Sequence, residues 1–110
     1  MRHSTGNWTA KQKRRRDAMY ELGCIACHIK GKRSEAQIHH VLSGHYRQSH
    51  DETIPLCPYH HEGVPPGEYT VSMMESAGAG PPGPPRAPRF KAEFGDEEGL
   101  ISATNDAITL

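Results

Sequence analysis

The sequence predicts a small α+β domain stapled by a metal, and three observations carry that expectation. Two pairs of potential ligands with matching spacing, Cys24-x2-Cys27 and Cys57-x2-His60, are separated by 29 residues. The hydrophobic fraction is 35% over 110 residues, with two Phe, one Trp and four Tyr. That is thin for a core that must hold by itself, and small scaffolds usually need a staple. Between and around the ligand pairs, local signals alternate helix, strand, strand, helix.

The elements follow in chain order. Residues 1–8 read as a flexible start. Thr9 to Leu22 reads as a helix: Thr9 and Gln12 form a capping box, and Gly23 supplies a residue able to end it. Ala18, Met19 and Leu22 give this helix a short apolar stripe, and Lys11-x-Lys13-Arg14-Arg15-Arg16 gives it a cationic surface. Residues 28–35 are basic, contain Gly31, and read as a loop. Ala36 to Leu42 reads as a strand, Ser43 to Asp51 as a polar loop with Gly44, and Thr53 to Leu56 as a second strand. Cys57 then opens a brief helix, with Pro58 in the first turn, where no N–H partner is needed. Val64-Pro65-Pro66-Gly67 ends it. Residues 77–88 (AGAGPPGPPRAP) read as an extended surface loop or linker. Phe90 to Phe94 gives one or two helical turns before Gly95, and beyond Leu100 the pattern is too sparse to read. The expected division is a basic N-terminal segment and helix at 1–23 and a core at 24–76. A Pro/Gly-rich loop at 77–89 and a short C-terminal helix and tail at 90–110 complete it.

The formal net charge of zero hides a split. Residues 1–50 carry ten Lys/Arg against three acidic residues, and residues 51–110 carry three against ten. Such asymmetry points to a nucleic-acid-facing half, although a solvated helix face gives the same count. No apolar run approaches the roughly 18 residues of a membrane span, and the polar, basic N-terminus does not read as a leader. A membrane protein, a secreted chain with its own leader and a large multi-domain enzyme are therefore not expected. Three Cys cannot all pair in disulfides, and eight His accompany them. Together they indicate metal ligation in a reducing compartment.

Two ligands three apart can face one ion from a tight turn or helix start. Cys24, Cys27, Cys57 and His60 therefore predict a tetrahedral structural Zn²⁺ site. Either pair alone would be weak. A redox reading of Cys24-x2-Cys27 lacks the βαβ pattern it needs. Three more histidines stand nearby: His39-His40 in the first strand and His61 directly after the last zinc ligand. Adjacent strand residues point to opposite faces, so His39 and His40 cannot do the same job. One can bind a metal while the other faces a substrate water, or both can simply decorate an edge strand.

Taken in order, these motifs resemble the HNH (ββα-metal, His-Me finger) endonucleases. The run Cys24-Ile-Ala-Cys27, Ile38-His39-His40 and Pro55-Leu56-Cys57-Pro58-Tyr59-His60-His61, with a later Phe90…Phe94-Gly95, is most similar to the phage Ref-type recombination nucleases. The resemblance covers residues 24–63 well and 68–95 loosely. It implies a small zinc-stabilised ββα-metal fold. His39 and His61 would hold a catalytic divalent cation, Mg²⁺ or another, and His40 would be the general base. It also implies DNA as the substrate, a recombinase filament as a partner, and the cytoplasm of a bacterial host for a phage-encoded member. Lys11, Lys13, Arg14, Arg15, Arg16, Lys30, Lys32 and Arg33 are candidate phosphate contacts. Two departures stand out. The Asn that many HNH nucleases place before the helix has no counterpart, since Asp51-Glu52-Thr53 stands there. That leaves Thr53, Glu52 or a backbone carbonyl to orient His40. Where relatives often carry a His after the helix, this chain has Val71-Ser72-Met73. The rival from another class is a non-catalytic zinc-binding nucleic-acid module, which has no need of the extra three histidines. An assembly protein docking through 77–88 is a third reading.

Overall fold

The computed structural model describes residues 7–43, 46–47 and 50–108, and for 42–43 and 46–47 the backbone only. Of the polar loop expected over Ser43 to Asp51, Gly44 and residues 45, 48 and 49 lie outside the described residues. Helix α1 spans Ala10–Leu22. The capping box forms as the residue types dictate: Gln12 N–H donates to Thr9 Oγ1 (3.1 Å) and Thr9 N–H donates to Gln12 Oε1 (2.9 Å). Gly23 ends the helix at φ 84° and donates its N–H back to the Met19 carbonyl. A Cβ there would lie 2.5 Å from the Ser34 carbonyl oxygen, so both conformation and space require glycine.

A short helix, α2 (Ile25–Ile29), starts within the first knuckle and runs into the beginning of the stretch 28–35 read as loop. Its N-cap is Cys24, whose sulfur accepts the Cys27 N–H. Strand β1 (Gln37–His40) pairs antiparallel with β4 (Thr53–Leu56), with His39 opposite Ile54 and His40 opposite Thr53. The first strand is shorter than expected: at Val41 the chain turns inward, and Leu42–Ser43 (β2) pairs instead with Tyr46–Arg47 (β3). All of β4 is buried, whereas β1 is half-exposed. The short run Thr53-Ile54-Pro55-Leu56 is packed against α1 and α2, and against the third and sixth helices described next.

Helix α3 (Pro58–Glu62) places Pro58 in its first turn and ends at Gly63 in the left-handed conformation, before the Pro65-Pro66 pair is reached. Helices α4 (Val71–Ser76), α5 (Pro88–Phe94) and α6 (Glu97–Ala107) follow. The last was not expected. Asp96 caps it by accepting the Gly99 N–H (2.8 Å), Glu97 and Glu98 fill its first turn, and Leu100 and Thr104 are buried. Among the described residues no helix is long and apolar enough to cross a membrane.

Arg15 corrects the reading of the cationic run. It is buried at 7% exposure. Its Nη1 donates to Thr53 Oγ1 (2.6 Å), its Nη2 to the Thr53 carbonyl (3.1 Å) and its Nε to Asn105 Oδ1 (2.9 Å). It lies one turn from the fully buried Met19 on the inward stripe of α1. Arg15 thus ties α1 to β4 and α6, and its guanidinium is not presented to phosphates.

The Pro/Gly segment is irregular, as expected, but it is not a free linker. Ala79, Pro81 and Pro85 are buried. The Tyr59 hydroxyl donates to the Gly80 carbonyl (2.7 Å), and Gly83 N–H donates to the Tyr59 carbonyl (3.0 Å). Gly83 presses against α3 so closely that a Cβ would stand 1.9 Å from the His60 carbonyl oxygen. Gly83→Ala should therefore push the segment off α3 and cost about 1–3 kcal/mol, as overpacking does. A melting temperature several degrees below wild type would report it, and an unchanged one would show that the segment is loosely seated.

Candidate metal centre and histidine clusters

The two knuckles converge as their spacing predicts. Cys24, Cys27, Cys57 and His60 are all buried, and their ligand atoms lie within 4.8 Å of one another. His60 Nδ1 stands 3.4 Å from Cys24 Sγ, 3.6 Å from Cys27 Sγ and 3.4 Å from Cys57 Sγ, and Cys27 and Cys57 sulfurs are 3.9 Å apart. A tetrahedral Zn²⁺ with ordinary Zn–S and Zn–N bonds needs edges of about 3.8 Å between sulfurs and about 3.6 Å between sulfur and nitrogen. The donor set fits. Both knuckles sit at helix starts, Cys24 capping α2 and Cys57 capping α3.

The surroundings favour a thiolate at Cys57. Cys27 Sγ lies 3.1 Å from the Ser34 hydroxyl. Hydrogen bonds from Cys24 and then Cys27 hold the Cys57 thiol well below its usual range, and the same contacts push Cys24 up. Burial works against a charged His60, but contacts with the Cys27 and Cys57 sulfurs and the Ala79 carbonyl outweigh it and lift the pKa to about 9. A metal ion at the centre would take the place of that proton. His60 Nε2–H donates to the Ala79 carbonyl (2.8 Å), fixing Nδ1 as the ligand atom. The Pro/Gly segment therefore forms the outer shell of the site.

The histidine dipeptide of β1 splits as a strand requires. On one face, Gln37 and His39 meet α3. His61 Nδ1–H donates to Gln37 Oε1 (2.8 Å), which leaves Nε2 with its lone pair. The His39 and His61 rings meet edge to face at 5.1 Å. His39 Nε2 lies 2.7 Å from Glu97 Oε2 at the start of α6. Burial, and then the neighbouring His39, hold His61 below the ordinary histidine range, so it is a neutral imidazole at neutral pH. Two imidazoles and a carboxylate thus meet on this face. They are less tightly gathered than the Cys₃His set, which among the described residues is the group that closes within 4.8 Å.

His40 points the other way. Its Nε2 lies 2.8 Å from His50 Nδ1, and His50 stacks on Trp8 with ring centres 3.6 Å apart. Thr53, one candidate for orienting His40, is engaged elsewhere: its hydroxyl accepts from Arg15 and donates to the His50 carbonyl (3.0 Å).

Residues 8–108 match the family model described as recombination enhancement, RecA-dependent nuclease. The chain belongs to that family. As a member of a family of recombination-related nucleases, it places its histidines in two clusters on opposite faces of one strand, beside a buried Cys₃His group that could hold a metal.

The basic residues divide similarly. Lys11, Lys13, Arg14 and Lys32 are exposed, and Arg16 lies half-exposed over the Trp8 ring at 5.2 Å. Lys30 pairs with Glu93. Arg33 donates to the Tyr20 and Glu21 carbonyls at the end of α1 and pairs with Glu35 (3.0 Å). Sequence reasoning missed Glu97 and His50. The acidic first turn behind Asp96 could have flagged the helix that carries Glu97. Nothing local marks His50.

If the Cys₃His group holds a structural Zn²⁺, one equivalent should copurify with the folded chain. Cys57→Ser or strong chelation should abolish the cooperative melt, because such sites supply on the order of 10 kcal/mol. A native far-UV spectrum and a sharp melt after complete metal removal would contradict this.

Proposed function

We propose that the protein is a metal-dependent DNA endonuclease of HNH type, recombination-related and acting with RecA in the cytoplasm of a bacterial host. The observation that carries this reading is the cluster of His39, His61 and Glu97 on one face of β1, with His40 on the opposite face of the same strand. Family membership supports nuclease activity, DNA as the substrate and a RecA filament as the partner. A binding module would use the Cys₃His staple alone and leave these side chains without a task.

The residues would divide the work as follows. His39, His61 and Glu97 would hold a divalent cation. Two imidazoles and a carboxylate leave open positions for oxygen ligands, and the carboxylate suits a hard ion such as Mg²⁺ or Mn²⁺. That cation, when bound, offsets charge on the scissile phosphate and on the leaving 3′ oxygen. His40 takes a proton from the attacking water, a task fitted to an imidazole at neutral pH. Among the described residues β1 pairs with β4 alone, so a phosphate lying along its other edge could meet groups from both faces of the strand. Lys11, Lys13, Arg14 and Lys32 would add contacts to the DNA backbone irrespective of base sequence.

Two experiments test the reading. The first is nicking of supercoiled plasmid with Mg²⁺ or Mn²⁺, with and without a RecA filament. His40→Ala should lose about 100-fold or more of the rate, the scale of a missing general base. His61→Ala and Glu97→Gln should lose nicking and Mn²⁺ affinity but keep the structural metal and the melting temperature, whereas His60→Ala should lose both. If none of the four changes nicking, the binding-module reading replaces this one. The second is the salt dependence of DNA affinity. The Lys11→Ala, Lys13→Ala, Arg14→Ala triple variant should flatten its slope by about two to three phosphate contacts. Arg15→Ala should instead lower stability, since it strands the Thr53 and Asn105 acceptors. An unchanged slope would place the DNA on another face.

A further inference from the structure

His50 is a residue that the proposed chemistry leaves unexplained. It follows the β2–β3 hairpin, is 3% exposed, and touches three elements. From β1, His40 Nε2 reaches its Nδ1 at 2.8 Å. From the stretch before α1, Trp8 covers its ring nearly parallel, 12° off at 3.6 Å, and Arg16 also lies over the indole. From β4, the Thr53 hydroxyl donates to its carbonyl, and Arg15 holds that hydroxyl in turn. Its remaining nitrogen, Nε2, is buried and has no hydrogen-bond partner among the described residues.

That last feature argues against a purely structural role. A buried nitrogen without a partner lowers stability, and an apolar side chain of similar size would avoid that cost. A position that accepts it does so for something the other nitrogen provides.

We infer that His50 is a positioning residue for His40. Resting on the nuclease reading above, it holds the imidazole in the orientation that the general base needs. His40 Nε2–H donates to His50 Nδ1, which puts the basic lone pair of His40 on Nδ1, the nitrogen that receives the proton from water. His50 in turn carries its own proton on Nε2, which accounts for the unpartnered atom. Trp8 clamps the His50 ring, so neither imidazole can rotate freely. The three rings form one unit: Trp8 and His40 also meet edge to face at 5.8 Å, and His40 and His50 at 4.9 Å. An error of about 1 Å in the placement of a reacting group can cost about 100-fold in rate, so this support is worth keeping at some expense of stability.

The test compares His50→Leu and His50→Asn with wild type and His40→Ala. Leucine fills the space without an acceptor, and the asparagine Oδ1 falls close to the place of histidine Nδ1. Four readouts are needed: metal content, melting temperature, kcat and KM for plasmid nicking, and the downfield NMR signal of a slowly exchanging imidazole N–H. We expect His50→Leu to keep its metal and melt no lower than wild type. Its kcat should fall about 10- to 100-fold with KM unchanged. The downfield signal should be present in wild type and lost in both His50→Leu and His40→Ala. His50→Asn should recover kcat to within a few-fold of wild type. Normal nicking by His50→Leu while His40→Ala is inactive would overturn the inference and leave the general base in place. So would unfolding of His50→Leu, or His50→Asn being as slow as His50→Leu. Normal nicking by His40→Ala would instead remove the reading on which the inference rests.

Discussion

The rest of the structure depends on the convergence of four side chains from two knuckles on one point. The buried cluster is built around it: Cys24, Ile25, Ala26 and Cys27 on one side, Ile54, Leu56, Cys57 and Tyr59 on the other, with Phe90, Phe94 and Leu100 closing over them. Few large apolar residues are available, and the stability of a small domain is commonly only about 5–15 kcal/mol. A bound metal can supply a comparable amount. It would also do something that apolar burial does less sharply, which is to fix directions. Both ligand pairs stand at helix N-termini, so holding them fixes where α2 and α3 begin. The orientation of α3 in turn sets where His61 points, and the position of β4, one residue before Cys57, sets the register of β1.

Two dipeptides show how secondary structure distributes roles. His39 and His40 are neighbours in a strand, so about half a rotation separates them: one faces His61 and Glu97, the other His50 and Trp8. His60 and His61 are neighbours in a helix, about 100° apart. The first turns into the sulfur cage and the second toward Gln37 and His39. Four adjacent histidines thereby reach three different surroundings without any loop to arrange them. Periodicity in the sequence is enough to foresee that separation, which is why much of the site was legible.

What was legible in the sequence was mostly local. The capping box of α1, Pro58 in the first turn of α3, the extent of β4 and the paired ligand spacing each depend on residues within a few positions of one another. What was not legible depends on distant partners. Glu97 meets His39 across 58 residues and Arg15 meets Asn105 across 90. In a run of four consecutive cations, composition cannot say which one turns inward; only its phase with Met19 does. The short amphipathic pattern of α6, with Leu100 and Thr104 as its buried residues, fell below notice although Asp96 and two glutamates marked its start. The Pro/Gly segment misled for a different reason. Glycine is common both in linkers and where backbones must touch, and Gly83 serves the second purpose against His60.

The opposed charge of the two halves also takes on a more definite meaning. Part of it is spent internally: Lys30 pairs with Glu93, Arg89 with Glu75, and Glu97 lies between His39 and Arg86. Lys30–Glu93 and His39–Glu97 join the acidic C-terminal helices to the N-terminal half, whereas Arg89–Glu75 and Arg86–Glu97 lie within the C-terminal half. The cations left exposed, Lys11, Lys13 and Arg14, lie together on the solvent side of α1, while Arg15 turns inward from the same helix toward Thr53 and His50. Helix α1 therefore faces two ways. Its outer side offers charge to a polyanion, and its inner side reaches, through the Thr53 hydroxyl, the backbone carbonyl of the His50 that touches His40. A backbone phosphate drawn to the outer side would be brought to the element that also supports the histidines, without any further moving part.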